Sequence, residues 1–143
     1  MSVLVDSSVW IDHLRGVPSR ETAVLDLLLE RRDPAVEHEG QGPAADLVVA
    51  DLVLCEVLRG IPFPREYAAV KNVLLSFDVV TIGGVELALR AADHYRALRR
   101  RGITVRKTID LLIGTFCIVN DCVLLHCDRD FDPMTRHLGL RVL

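Results

Sequence analysis

The stretch MSVLVDSSVWIDHLRG, residues 1–16, decides how the chain is interpreted. An apolar run over residues 2–5 ends at Asp6, and either of the two serines that follow can cap a helix. That helix is expected to run to about Leu14 and to stop at Gly16. The stretch therefore predicts a β-strand, a carboxylate at the end of the strand, and then a helix.

The same alternation of strand and helix continues to the end of the chain. Patterns typical of strands cover residues 47–50, 78–82, 123–126 and 140–143, and patterns typical of helices cover residues 19–32, 52–59, 64–75, 86–101 and 109–120, with a short helix from 132. Asp51 is a plausible N-cap, and residues 33–46, rich in Pro, Gly, Glu and Ala, predict a mobile loop. Strands that alternate with helices predict an α/β fold with a mainly parallel central sheet and helices on both faces, a Rossmann-like three-layer arrangement.

Length and composition limit the class of protein. The chain has 143 residues, which fits a single domain spanning residues 1–143, and half of the residues are apolar, which indicates a globular protein. The longest apolar stretch, residues 111–119, is too short to cross a bilayer, and the N-terminus has no basic start. We therefore expect no membrane insertion, no secretion signal and a cytoplasmic location.

The four cysteines do not predict a metal site. The last three, Cys117, Cys122 and Cys127, are each separated by four residues, and Cys55 has no neighbouring cysteine, so the spacing does not match paired zinc ligands. We expect buried, reduced thiols.

Four acidic residues stand where an apolar run, or the turn after it, gives way to a helix: Asp6, Glu56, Asp110 and Asp128. Taken alone, each aspartate has a simple explanation as a cap, a partner of a helix dipole or a turn residue. Glu56 has no capping position and has apolar neighbours. Because the ends of parallel strands meet at one edge of a sheet, we expect the four carboxylates to cluster. Gathered without a cation they would repel one another, so a hard divalent cation is the expected occupant.

A basic segment lies between two of the predicted helices. Residues 96–107, RALRRRGITVRK, include five candidates for binding nucleic-acid phosphates, Arg99, Arg100, Arg101, Arg106 and Lys107. Cations at a helix C-terminus are favoured by the helix dipole, and the same residues can contact phosphates. Both interpretations remain open at this stage.

Four motifs in order resemble the PIN-domain family and, within it, the VapC toxins of bacterial toxin–antitoxin pairs. They are VLVDSSVWIDHLRG at 3–16, LVLCEVLRG at 52–60, TIDLLIG at 108–114 and LLHCDRDFD at 124–132. The resemblance assigns the metal-binding acids to Asp6, Glu56, Asp110 and Asp128, with Asp130 as a fifth and Ser8 as a polar helper of Asp6. Gly114 and Cys127 stand where relatives often have Ala and a polar residue.

The resemblance implies a metal-dependent endoribonuclease toxin. Such an enzyme would use Mg²⁺, or alternatively Mn²⁺, to hydrolyse RNA to 5′-phosphate and 3′-hydroxyl ends. Asp6, Asp110 and Asp128 would be metal ligands, and Glu56 either a further ligand or the base that orients the water. The implied partners are RNA, a cognate VapB-like antitoxin and a second copy of the chain in a homodimer. Two alternatives stay open: a non-catalytic α/β module that binds a structural cation or a basic peptide, and a PIN nuclease of RNA processing.

Overall fold

The structure is a computed structural model that describes residues 1–33 and 45–143. The strands of this part of the chain are β1 (Ser2–Val5), β2 (Asp46–Ala50), β3 (Asp78–Val80) and β4 (Val123–Leu125). The helices are α1 (Ser7–Leu14), α2 (Arg20–Glu30), α3 (Asp51–Leu58), α4 (Pro64–Leu75), α5 (Val85–Arg100), α6 (Thr108–Val119) and α7 (Asp132–His137), with a 3₁₀ turn at Arg129–Phe131.

The strands form one parallel sheet in the order β3-β2-β1-β4. Neighbouring residues on a strand point to opposite faces, yet Val3, Leu4 and Val5 are each 0% exposed, so both faces of β1 are covered. The covering helices pack as α1 with α2 and α3, α3 with α4, and α5 with α6. The predicted α/β class, with a parallel sheet and helices on both faces, is confirmed.

The strand order brings distant parts of the sequence to one edge. β1 lies between β2 and β4, and the amide of Asp6 donates to the carbonyl of Leu125 at 2.9 Å. The carboxyl ends of β1 and β4 are therefore joined directly, and β2 leads into α3 beside them. Residues separated by more than 100 positions meet at this edge because parallel pairing aligns the strand ends.

Two local predictions near Asp51 are wrong. Asp51 is the first residue of α3 and not its cap, because Ala50 occupies the N-cap position. The carboxylate Oδ1 of Asp51 accepts from the amide of Leu52 at 2.8 Å and from the amide of Ile82 at 3.0 Å. Since the side chain of Asp51 takes the Ile82 amide, the chain leaves the sheet there, and β3 ends at Val80 instead of residue 82.

The predicted last strand, residues 140–143, is also absent from the described chain. The segment follows Gly139, whose φ of 78° turns the backbone, and forms only an isolated bridge between Val142 and Leu124. The predicted loop at 33–46 falls mostly outside the described residues, although Asp46 already begins β2.

The cysteine prediction holds for two residues out of four. All four thiols are free, but only Cys117 and Cys122 are buried, whereas Cys55 and Cys127 are exposed. Within the described ranges, no helix combines the length and the apolar character needed to cross a membrane.

A close contact between two helices involves Gly114 of α6. A Cβ atom added at this glycine would lie 2.5 Å from Sδ and 2.6 Å from Cε of Met134, a residue of α7 that is 0% exposed. Because Met134 is enclosed, its side chain cannot simply turn into solvent. The glycine therefore permits α6 and α7 to approach each other.

We expect Gly114→Ala to lower the free energy of unfolding by about 1–2 kcal/mol, because the cost of overpacking exceeds the gain in helix propensity. The measurement is urea denaturation. Gly60→Ala is the control, since its added Cβ would meet only the Val57 carbonyl oxygen at 3.6 Å, and it should change stability by less than about 0.5 kcal/mol. If the clash is the cause, adding Met134→Ala to Gly114→Ala destabilises less than the sum of the two single changes.

Candidate active site

Asp6 stands at the end of β1 and is 3% exposed. Its Oδ2 accepts from the amide of Ser8 at 3.1 Å and from the Ser8 hydroxyl, so Asp6 itself caps α1. Its other oxygen, Oδ1, is buried and has no hydrogen-bond partner among the described residues. The Ser8 hydroxyl also accepts from the amide of Cys127 at 3.4 Å, which ties Asp6 to the loop after β4.

Glu56 lies in the second turn of α3 and faces Asp6. Burial and the charge of Asp6 raise the pKa of Glu56, while a hydrogen bond from Ser7 and the cations Arg59 and Lys107 oppose that rise. The Ser7 hydroxyl donates to Oε1 of Glu56 at 3.3 Å. Ser7 was not among the predicted site residues, because only the fold shows which of the two serines turns toward α3.

Asp110 lies in the first turn of α6 and is 6% exposed. Burial raises its pKa to about 7, as do the charges of Asp6, Asp128 and Glu56, and the charge of Lys107 acts in the opposite direction. Its Oδ2 is buried without a hydrogen-bond partner in the described part of the chain. The charges of the other three predicted acids therefore act on Asp110, which indicates that all four acids form one cluster.

Asp128 and Asp130 follow β4. Oδ1 of Asp128 accepts from the amide of Asp130 at 3.0 Å, and Oδ2 accepts from Nζ of Lys107 at 2.8 Å. Burial pushes the pKa of Asp128 upward, but the lysine and the Asp130 amide together hold it below its ordinary value. Carboxylate oxygens of Asp110, Asp128 and Asp130 all lie within 4.8 Å of one another, a spacing that suits a shared cation. We call the five residues Asp6, Glu56, Asp110, Asp128 and Asp130 the acidic cluster.

Lys107 lies inside this cluster, which corrects the expectation that the carboxylates gather without a cation. Its Nζ is 2.8 Å from Asp128, 3.7 Å from Asp130 and 3.8 Å from Asp110. The hydrogen bond with Asp128 raises the pKa of Lys107, so its side chain stays charged. The spacing of three between Lys107 and Asp110, typical of a helical ion pair, is the signal in the sequence that indicates this contact.

The other predicted RNA-binding residues lie outside the acidic cluster. The guanidinium of Arg99 donates to the hydroxyl of Thr104 at 2.7 Å and so braces the loop between α5 and α6. Arg100, Arg101 and Arg106 are exposed on the same segment, which leads directly into Asp110. The segment thus presents positive charge next to a negative site.

The donor set fits a divalent metal ion. Hard cations prefer carboxylate oxygens, and the cluster supplies several of them at one edge of the sheet. Two buried oxygens, Oδ1 of Asp6 and Oδ2 of Asp110, make no hydrogen bond, which is costly, and a bound cation would offset that cost.

Comparison with known proteins agrees with this geometry. The family model of the PIN domain matches residues 3–136. The chain belongs to the PIN domain family. This PIN domain is 25% identical over 139 residues to the VapC ribonuclease Mb1587 of Mycobacterium bovis, covering 97% of this chain and 96% of that protein. It is 28% identical over 137 residues to ribonuclease VapC19 of Mycobacterium tuberculosis, covering 92% of each.

Solved structures share the fold of this PIN domain. VapBC2 from Rickettsia felis, bound to a DNA fragment from its promoter, has a TM-score of 0.71 at 14% identity and covers 100% of this chain and 98% of that chain. VapBC-1 from nontypeable Haemophilus influenzae has a TM-score of 0.69 at 17% identity and covers 100% and 97%.

The raised pKa of Asp110 predicts how stability depends on pH. Its pKa is about 7 in the folded protein, against 3.8 for a free aspartate. Between these values the folded protein binds a proton at Asp110 that the unfolded chain has lost, so the contribution of Asp110 to the free energy of unfolding falls as pH rises from about 4 to 7. In urea denaturation with EDTA present, the metal-free wild type should lose stability over this range more steeply than Asp110→Asn.

The matched control is Asp78→Asn, which removes an exposed carboxylate of β3. This variant should keep the wild-type pH dependence. Equal slopes for Asp110→Asn and the wild type would mean that Asp110 does not hold the extra proton.

Proposed function

We propose that this PIN domain, residues 1–143, acts as one nuclease domain: a metal-dependent endoribonuclease toxin that hydrolyses RNA to 5′-phosphate and 3′-hydroxyl ends and is neutralised by a cognate VapB-like antitoxin. The observation that carries the proposal is the meeting of Asp6, Glu56, Asp110 and Asp128 at one edge of the sheet, with buried oxygens that lack partners. Relatives named VapC ribonucleases, which match over almost the whole chain, support the same activity.

In this proposal each acid has a role. Asp6, Asp110 and Asp128 hold the metal ion, Mg²⁺ or Mn²⁺, and Asp130 is an additional ligand. When bound, the ion would lower the pKa of a coordinated water and neutralise charge on the phosphate. Ser8 holds Oδ2 of Asp6 and leaves Oδ1 free to act as a ligand.

Glu56 suits a second role as the base that orients the attacking water. The pKa of Glu56 is raised toward neutral pH, and a general base is most effective when its pKa lies near the pH of the reaction. The hydrogen bond from Ser7 fixes the position of the carboxylate. The charge of Asp6 also acts on Glu56, which is consistent with a role as a further ligand, so both roles remain part of the proposal.

RNA binding requires positive charge, because the acidic cluster repels phosphates. We assign that role to Arg100, Arg101 and Arg106, which are exposed on the segment that leads into α6. Arg99 shapes the segment through Thr104.

The proposed partner is a VapB-like antitoxin acting on a homodimer of this chain. The structures with the same fold include toxin–antitoxin complexes. An antitoxin arginine or lysine that pairs with Asp110 or Asp128 would compete with metal and so restrain the enzyme.

We expect Asp6→Asn to reduce cleavage of labelled single-stranded RNA by more than about 100-fold, because loss of a ligand exceeds the 10- to 100-fold cost of an outer-shell change. The assay is run with Mg²⁺ or Mn²⁺, and EDTA should stop the wild-type reaction. Asp93→Asn should cleave as the wild type does.

Two results would contradict the proposal. Cleavage of RNA by EDTA-treated protein would show that the reaction does not need a metal ion. Saturable metal binding without any cleavage would favour a non-catalytic module. Mapping of new 5′ ends in cells after brief induction, wild type against Asp6→Asn, would identify the RNA that is cut and separate a toxin from a nuclease of RNA processing.

The arginines predict a salt dependence. RNA binding is measured in the Asp6→Asn background, where the substrate stays intact, as a function of salt concentration. For Arg101→Gln with Arg106→Gln we expect the slope of log K against log[salt] to fall by about 0.7 for each lost phosphate contact on a single strand. Arg20→Gln, on α2, should leave the slope unchanged, and an unchanged slope for the double variant would show that these arginines do not contact phosphate.

A further inference from the structure

The ammonium group of Lys107 stands where a cation shared by three carboxylates would bind. Asp110, Asp128 and Asp130 are the described residues whose carboxylate oxygens come within 4.8 Å of one another. The same three residues each place an oxygen within 3.8 Å of Nζ of Lys107. The lysine therefore occupies the centre of the most compact group of acids in the site.

The chain holds Lys107 in this position through its backbone as well as its side chain. Lys107 is the N-cap residue of α6, and its carbonyl accepts from the amide of Leu111 at 3.2 Å, so its Cα is fixed one turn from Asp110. Its side chain is 58% exposed and reaches the acids from the solvent side. It therefore gains three negative neighbours at a small cost in desolvation.

Asp128 already has a donor on each of its oxygens. The amide of Asp130 binds Oδ1, and Lys107 binds Oδ2. The buried oxygens without a hydrogen bond are Oδ1 of Asp6 and Oδ2 of Asp110, and the latter also lies 3.8 Å from Nζ of Lys107. The acidic cluster is thus divided into the three acids that Lys107 contacts and a part, Asp6 and Glu56, that makes no ion pair within the described residues. Asp110 stands between the two parts, because the charge of Asp6 also acts on it.

Sites that hold two metal ions place them about 3.5–4 Å apart, with carboxylates between them. In this chain one of the two parts already contains a positive charge. We propose that Lys107 takes the place of a second divalent ion, so that the acidic cluster binds a single metal ion, on the side of Asp6. This inference rests on the metal site of the proposed function and narrows it by stating the number of ions and the residue that sets it. The single ion is held by Asp6 and Asp110, whereas Asp128, a ligand in the broader proposal, is held by Lys107.

If this proposal is right, the RNA meets an ammonium group at the position where a second metal ion would otherwise bind. On the side of Asp128 the positive charge beside the scissile phosphate would be the ammonium of Lys107, which carries one charge and three donors. Lys107 would then contact the phosphate directly and would not belong to the outer basic segment.

The test counts bound ions without RNA, so it does not depend on cleavage. Metal-free wild type, Lys107→Met and Lys107→Arg are titrated with Mn²⁺, and binding is followed by calorimetry and by the loss of the electron paramagnetic resonance signal of free Mn²⁺. The matched control is Lys71→Met, which changes the only other lysine of the chain. Circular dichroism melts confirm that each variant is folded.

We expect one bound ion in the wild type, in Lys71→Met and in Lys107→Arg, which keeps the charge. Lys107→Met should bind two, and its resonance spectrum should show the magnetic coupling of two neighbouring Mn²⁺ ions. Two ions in the wild type would mean that Lys107 moves aside, and one ion in Lys107→Met would mean that the lysine excludes nothing. Either result overturns the inference while leaving the metal site intact, whereas absence of binding to every protein overturns the metal site itself.

Discussion

Repulsion among carboxylates that are buried together is the constraint on which this molecule is built. Asp6 and Asp110 are almost completely enclosed, and each raises the energy of its neighbours' charged forms. A fold that only needed stability would replace such groups with apolar ones. The chain instead reduces the repulsion with several donors: the Ser8 amide and hydroxyl on Asp6, the Asp130 amide on Asp128, and the ammonium of Lys107. These donors do not reach Oδ1 of Asp6, and a metal ion would supply the missing partner of this oxygen.

The sheet enforces this arrangement. Asp6 and Asp128 lie beyond the ends of two paired parallel strands, and the bond from the Asp6 amide to Leu125 prevents those ends from separating. Asp110 enters from α6, which is apolar on nearly every side and is held in the core by residues such as Ile113 and Cys117. Hydrophobic burial of strand and helix therefore supplies the free energy that keeps like charges together.

The positive groups near the site differ in kind. Lys107 is bound to the acids, Arg99 is engaged by Thr104, and Arg100, Arg101 and Arg106 remain exposed. Basic residues that are neighbours in the sequence thus have three different roles. One neutralises carboxylates, one stabilises a loop, and three form an exposed surface that can contact phosphates. A net charge of −3 hides this separation, because opposite charges are gathered in adjacent places.

Much of the fold was open to prediction because its signals are local. The apolar run before Asp6, the helix of residues 64–75 and the position of Asp110 in a first turn depend on neighbours a few positions away, and the structure has them where they were predicted. The sequence by itself also determined which acids follow strands and therefore belong at one edge. Only the tertiary structure decided that Ser7 turns to Glu56, that Asp51 takes the amide of Ile82, and that Lys107 stands among Asp110, Asp128 and Asp130. Those contacts depend on strand register and on the crossing of α3 and α6 with the sheet, which are properties of packed elements and not of any single segment.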